Sequence, residues 1–475
     1  MEALLVDGHD ASSADAVPHE SVTFLKRNIV QRTLSAIVLA PAIIYFIYRG
    51  AKAAVITLGT IVVAICLFEY SWLALRIRHR AVTHYLCYLS FHPDDDPLHF
   101  LDVRATYSAP LDVRSTAASR LSKSKVWWRV YLIAGALAVP IAATATGLVY
   151  ATMRRMNDIQ LDYLVYAGGS FFVAGVCAFL TPSPVDAVVL LLEVVGFSLS
   201  SLNNHFCSRR PNTKCFLTVD SGTALCVVFV PMVALRMTSH RHIVDAGVAI
   251  ALDIVSLVYI PMMFRMLIDA LGVMASGQEV AMRYLFIVWG CDCGAYAAGM
   301  LLTAWGYKGS PRTKLAPHIS PNKDIEGTIG GIVMAVGASI VANKYFDVAD
   351  QSSEYGSYIS TQLKTTTAYW QLIVFAVVGA CFSRYGDLFA SLLKRLADVK
   401  DTGRLIPGHG GMLDRVDGLI FMSAILAIFH RAMFPLLYEY DKRGKLLQDV
   451  MYLSPWDQKW LLNVVTSFNS ATTPS

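Results

Sequence analysis

A chain of 475 residues with 40 Lys+Arg against 35 Asp+Glu has a formal net charge of +5, too mild to indicate nucleic-acid binding. Charged residues are only 16% and hydrophobic residues 55%, with mean hydropathy +0.48, which excludes a disordered, coiled-coil or collagen-like chain. That much apolar surface exceeds what a soluble interior hides, whereas a bilayer absorbs it through runs of ~20 residues. The expected fold class is therefore all-α: a polytopic integral membrane helical bundle of about ten or eleven transmembrane helices.

Residues 1–32 form a polar tail with no early apolar core, neither a secretory signal nor an Arg-rich transit peptide. Lys26, Arg27 and Arg32 precede the first apolar run, 33–48, and favour a cytosolic N-terminus by the positive-inside rule. The run at 53–75 contains Glu69, and 76–129 reads as a cytosolic insertion with a short LDVR repeat. Five more runs follow at about 130–150, 163–180, 187–202, 221–235 and 246–270, interrupted by Pro140 and Asp253. Residues 33–282 are thus read as N-terminal and central membrane helices, 283–437 as a catalytic membrane domain and 438–475 as a tail. His205, Cys207 and Cys215 have no fourth partner at zinc spacing.

The densest polar stretch is DLFASLLKRLADVKDTGRLIPGHGGMLDRVD, residues 387–417. If the preceding helix continues, Asp387, Ser391, Lys394 and Asp398 share one polar stripe. Such a stripe at the end of an apolar span should face a protein interior or watery cavity, because lipid cannot satisfy it. Gly403, Pro407, Gly408, Gly410 and Gly411 surround His409 in a loop whose backbone can approach anionic oxygens closely. Asp414 and Asp417 open the next helix, where helix capping is the competing reading. Asp387, Asp401, Asp414 and Asp417 interleave with Lys394, Arg395, Lys400, Arg404, His409 and Arg415. That alternation suits a hard cation and a polyphosphate sharing one site, since Mg²⁺ takes a few carboxylates plus phosphate oxygens.

A second basic segment, GYKGSPRTKLAPHISPNKDIEGTIGG at 306–331, offers Lys308, Arg312, Lys314, His318 and Lys323. It reads as a phosphate-binding loop or a positive-inside anchor, followed by close helix packing through Gly327 and Gly331. Upstream, Asp292 lies inside the apolar run IVWGCDCGAYAAG, where a charge costs ~2.5–3.5 kcal/mol and a functional role is the default. Glu69 and Asp253 lack glycine-rich company and read as structural hydrogen-bonding groups.

Residues 391–417 resemble the signature of the phosphatidate cytidylyltransferases, or CDP-diacylglycerol synthases. The matching positions are Ser391, Lys394, Arg395, Lys400, Asp401, Pro407, His409, Gly410, Gly411, Asp414, Arg415 and Asp417. DCGAYAAG from Asp292 and ISPNKDIEGTIGG from Ile319 are similar to two further family blocks, with Asn322 and Asp324 where lysine and threonine are the pattern. Lys314 and Lys323 are the alternative cations there.

The resemblance covers about residues 283–437, with the opening near Arg32 and Glu69 agreeing loosely, and implies CTP plus phosphatidate giving CDP-diacylglycerol and pyrophosphate. It further implies Mg²⁺ held by Asp387 and Asp414, with K⁺ as a companion ion. By charge, Lys394, Arg395, Lys400, Arg404 and His409 go to the phosphates, and Asp401 and Asp417 orient bases or metal waters. Asp292, Lys314, Lys323, Ser391, Gly410, Gly411 and Arg415 complete the expected substrate contacts.

Expected partners are CTP, phosphatidate, the lipid bilayer and a second copy in a homodimer, without nucleic acid. The site should face the cytosol, in the endoplasmic reticulum ahead of a plastid or bacterial plasma membrane. A CTP-dependent polyprenol-type lipid kinase would lack the complete KD and PGHGG register. A non-enzymatic anion transporter would show internal repeats with broken helices, and the sequence has no such symmetry.

Overall fold

The structure, a computed structural model, describes residues 40–47, 52–90, 116–122, 126–155, 161–207, 221–240, 242–273, 277–305, 314–345, 366–403, 410–433, 446, 450–451 and 453–472. In chain order the elements are α1 (Lys52–Ser90), α2 (Ala117–Ser122), α3 (Trp127–Arg155), α4 (Leu161–Phe179), α5 (Pro184–Cys207), α6 (Ser221–Ser239) and α7 (Ile243–Leu257). A π-turn, Val258–Met262, joins α7 to α8 (Met263–Val273), and α9 (Gly277–Ala304) leads to the antiparallel strands β1 (Lys314–Ala316) and β2 (Ser320–Asp324). The rest is α10 (Ile325–Tyr345), α11 (Thr366–Leu396), α12 (Leu413–Met433) and α13 (Pro455–Thr472).

Among the described residues eight helical spans are long and apolar enough to cross a membrane, so this is an integral multi-pass protein with an all-α membrane bundle. Helices pair backbone donors and acceptors within one segment, which lipid demands of any span. The shorter apolar helix Cys226–Ser239 and α12 coincide with two more of the expected runs.

Local chemistry explains where the elements depart from expectation. α1 continues to Ser90, well past residue 75, so the first part of the expected insertion is helix. Pro140 does not end α3, as neighbouring groups in a bundle compensate for its missing donor. Pro261 sits instead in the π-turn, and α7, the turn and α8 together form one span, Ile243–Ile268. The basic segment after α9 contains a hairpin, which its prolines and lysines did not signal.

Apolar contact between helices gains little over contact with lipid, so close approach and polar links must hold the bundle. The largest core joins α1 (Leu67, Tyr70, Leu73) to α4, α5, α8, α11 (Leu393) and α12 (Leu413, Ile420). A second core joins α9, α10, α11 and α12 through Tyr284, Ile287, Ala335, Ala380 and Met422. Between α9 and α10 small residues allow near backbone contact: a methyl on Gly294 would lie 2.6 Å from Gly330 O, and one on Gly331 2.7 Å from Cys291 O.

The chief polar link is Arg236, whose Nε and Nη2 donate to Asp253 Oδ2 and Oδ1 at 2.7 and 2.9 Å, while Nη2 lies 2.7 Å from Asp186 Oδ1. Asp253 therefore has the structural role read from its surroundings.

Candidate active site

Four elements, α9, the hairpin, α11 and α12, deliver the polar groups. α11 leaves the apolar core with Asp387, Ser391 and Lys394 on one side, as the spacing predicts. The stripe stops at Lys394: α11 ends at Leu396, and Asp398, with φ of 57°, points instead toward Arg80 at 3.5 Å. That part of the predicted stripe is corrected by the helix end.

The hairpin supplies Lys323. Its ammonium lies 2.7 Å from Asp387 Oδ1 and donates to Ser391 Oγ at 3.1 Å. Arg384, one turn before Asp387, approaches Oδ2 at 3.7 Å. Arg395 Nε donates to Ile319 O at 3.3 Å and ties the hairpin to α11. Asp324 serves as the N-cap of α10, accepting from Gly327 N at 2.9 Å, so this departure from the family pattern has a local structural reason. Burial pulls the Lys323 ammonium below its ordinary pKa range, and the Asp387 carboxylate opposes that shift.

Asp414, in the first turn of α12, looks back into the preceding turn. Lys394 Nζ donates to its Oδ1 at 2.8 Å, and Oδ2 accepts from Thr402 N at 2.9 Å and Gly411 N at 3.2 Å. Gly410 permits this with φ of +85°, a conformation side chains rarely adopt, and a methyl there would lie 3.1 Å from Asp414 Oδ2. Asp414 is thus a buttress of the turn rather than a cap of its own helix. The capping carboxylate belongs to Glu69 of α1, which accepts from Met412 N at 2.9 Å and Leu413 N at 2.8 Å.

α11 and α12 meet closely: a methyl on Gly386 would lie 2.5 Å from Asp417 O. Asp417 is buried, accepts from Gly418 N at 2.7 Å, and lies within electrostatic reach of Asp387, Asp292 and Lys394. Asp292 and Lys323 line a cavity of about 700 Å³ with Asp324 and Arg384, its apolar wall including Tyr296 and Met300. Asp292 also lies within electrostatic reach of Asp387, Arg384 and Arg415.

Of the residues singled out in the sequence, Asp292, Lys323, Asp387, Ser391, Lys394, Asp414 and Asp417 therefore gather around the facing ends of β2, α11 and α12. Lys314, Arg395, Lys400, Asp401 and Arg415 stand exposed at the rim. Arg404 and His409, with Lys308 and Arg312 and the side chains of His205, Cys207 and Cys215, lie outside the described residues. Sequence reading missed Arg384, Thr402 and the placement of Glu69. Arg384 had a signal, a cation inside an apolar span three residues before Asp387.

A cluster of cations set against carboxylates at the end of membrane helices can bind a polyphosphate and neutralise its charge. Residues 195–433 match the sequence model of the "Cytidylyltransferase family". Phosphatidate cytidylyltransferase of Brucella suis biovar 1 (strain 1330) is 39% identical over 147 residues, 31% of this chain and 45% of that protein. The protein of the same name from Staphylococcus saprophyticus is 31% identical over 178 residues, 38% of this chain and 58% of its own. The one from Bacillus subtilis (strain 168) is 34% identical over 169 residues, covering 36% and 54%. The chain spans about half the length of the curated relatives it matches. The family match extends over half of the chain and takes in all seven gathered residues, and the chain belongs to the cytidylyltransferase family.

Proposed function

We propose that this protein transfers CMP from CTP to phosphatidate, giving CDP-diacylglycerol and pyrophosphate. The observation that supports the reading most directly is the pairing of Lys323 with Asp387 and Lys394 with Asp414 at one end of the bundle. Two cations held by carboxylates beside a membrane-embedded cavity suit a substrate pair of one nucleotide triphosphate and one lipid phosphate. The names of the relatives agree with that substrate class.

In the proposed reaction a phosphatidate oxygen forms a bond to the α-phosphorus of CTP. The bond from that phosphorus to the α,β-bridging oxygen breaks, and pyrophosphate leaves with the electron pair. The attacking phosphate is already anionic at neutral pH, so no protein nucleophile or dedicated base is required. Lys323, Arg384 and Lys394 offset charge on the phosphates, and Ser391 orients the Lys323 ammonium. Lys400 and Arg415 extend the same positive rim, with Arg404 and His409 assigned to the phosphates by charge.

Among the described residues no three His, Cys, Asp or Glu side chains converge tightly enough to hold a metal alone. The donor set fits a hard divalent ion that completes its shell with phosphate oxygens, and Asp387 and Asp414 are the proposed ligands for Mg²⁺. When bound, that ion supplies charge neutralisation on the polyphosphate. A companion K⁺ belongs to the same proposal. Lys394 would have to share Asp414 with the ion, since it holds Oδ1 at 2.8 Å. The basic segments around 306–326 and 389–415 support a cytosolic face for the site, and the endoplasmic reticulum is the proposed membrane.

The test is purified protein with labelled CTP and phosphatidate. CDP-lipid and pyrophosphate are the expected products, and Asp414→Asn should stop turnover while the protein stays folded. A phosphorylated alcohol with CDP as co-product would overturn the reading, and full turnover by Asp414→Asn would overturn the metal assignment.

A further inference from the structure

Glu69 lies in a membrane-crossing helix, 333 residues before Thr402 and outside the matched span 195–433. It is only 3% exposed, and its carboxylate is engaged entirely with the turn between α11 and α12. Oε1 accepts from Met412 N at 2.9 Å, and Oε2 from Leu413 N at 2.8 Å. Thr402 Oγ1 lies 3.0 Å from Glu69 Oε2 and 3.0 Å from Asp414 Oδ2, so one hydroxyl hydrogen serves two carboxylates in turn. Two glycines make room for this carboxylate: a methyl on Gly403 would lie 2.6 Å from Oε1, and one on Gly411 would strike both the carboxylate and Thr402 Oγ1.

These contacts amount to a helix cap supplied by a different helix. The first amides of α12 have no partner within α12, and an anion there also complements the helix dipole. A local Asp or Ser would cap equally well but could not fix the turn to the rest of the bundle. Here the cap is anchored in α1, whose Tyr70 donates to Leu252 O at 2.9 Å and whose Leu67 and Leu73 are buried in the main core.

We propose that Glu69 is a positioning residue for nucleotide transfer, whose carboxylate ties Thr402 to Met412 and Leu413 so that Asp414 and Lys394 keep their mutual geometry. The proposal rests on the CMP-transfer reading of this site. Glu69 acts by accepting hydrogen bonds and touches no reacting atom. Glutamine keeps one accepting oxygen but turns an NH2 donor toward the other amide, so it should hold these groups only in part, and alanine should not hold them.

The experiment uses the full chain in lipid nanodiscs, comparing Glu69→Gln and Glu69→Ala by amide hydrogen exchange and by turnover. In Glu69→Ala, exchange at Met412 and Leu413 should rise at least ~10-fold, while the α9–α10 core stays protected. Its kcat should fall about 10- to 100-fold, the range seen when groups that orient a reactive residue are removed. Glu69→Gln, with one acceptor in place of two, should fall between the native protein and Glu69→Ala in exchange and in kcat. Unchanged exchange at Met412 and Leu413 in Glu69→Ala would overturn the proposal, and so would a Gln variant with native exchange at both amides.

Should Glu69→Ala fail to fold, Gly411→Ala probes the same contact by driving a methyl into the carboxylate. Its expected result is faster exchange at Met412 with lost turnover, and native behaviour would overturn the proposal. If the native protein makes no CDP-lipid, the CMP-transfer reading fails, while the exchange arm still decides whether Glu69 holds the turn.

Discussion

Lys323 combines structural links with the role proposed for it at the phosphates. It offsets Asp387, donates to Ser391 and lines the cavity. Burial lowers its pKa in the folded protein, with Asp387 acting against the shift. The folded state therefore releases this proton at lower pH than the unfolded chain does. The energetic cost of the buried cation is present in full at neutral pH and shrinks as pH rises through the folded pKa. For the proposed reaction the sign is opposite, because the charge assigned to the phosphates is lost over that same interval. The alkaline limb of kcat/KM for CTP should thus fall below the ordinary lysine range of ~10.4. Lys323→Arg should move that limb upward, since a guanidinium keeps its charge. A limb unmoved in that variant would remove Lys323 from phosphate binding. Most of this residue set was legible, because Asp387, Ser391, Lys394, Asp414 and Asp417 lie within 31 residues at telling spacings. Glu69 was not legible as part of the site: its glycine company, Gly403 and Gly411, is supplied only by folding.

At the scale of elements, the contact between α9 and α10 sets where Asp292 and Lys323 stand relative to each other. Asp292 sits beside Gly290 and Gly294 on α9, while Lys323 closes the hairpin that runs straight into α10. A methyl on Gly290 would lie 2.8 Å from Ala338 Cβ, and one on Gly294 2.6 Å from Gly330 O, so neither position has room for a side chain. Gly294→Val should therefore push the helices apart at a cost of about 1–3 kcal/mol, read as a lowered unfolding temperature. It should also raise KM for CTP by displacing Lys323 from Asp387, a combination that simple destabilisation would not give. An unaltered melting temperature would show that the helices are not in close contact. The sequence announced this packing in half, through Gly327 and Gly331. Gly331 does meet α9, whereas Gly327 mainly completes the Asp324 cap, and the reciprocal glycines on α9 were read only as part of a catalytic block. The hairpin was hidden because its strands, three and five residues long, carry proline and charge rather than alternating apolar residues.

The whole molecule depends on α1 more than the extent of the family match would suggest. The matched segment contains every cation and carboxylate gathered at the site except Glu69, yet its own core is completed from outside. Leu413, Val416 and Ile420 of α12 share one cluster with Val63, Leu67 and Tyr70 of α1. Glu193 of α5 accepts from Ser256 of α7 at 3.0 Å, and Asp186 of α5 pairs with Arg236 of α6. Dividing the chain after residue 220 places α1–α5 on one fragment and the remaining elements on the other. Fragment 221–475 then keeps the Asp253 partner of Arg236 but loses Asp186, the Glu69 cap and the α1 face of the main core. Buried polar groups left without partners cost roughly 1–3 kcal/mol each, and the lost helix contacts add to that. Fragment 221–475 made alone in membranes should therefore yield no CDP-lipid. Co-expression with 1–220 should restore turnover and allow the two fragments to copurify, because helices already inserted in a bilayer can associate side by side. Turnover by 221–475 alone would show that the site is self-sufficient and that α1 is an accessory. Copurification without turnover would instead mean that the α1 contacts reform while Thr402, Met412 and Leu413 do not return to Glu69.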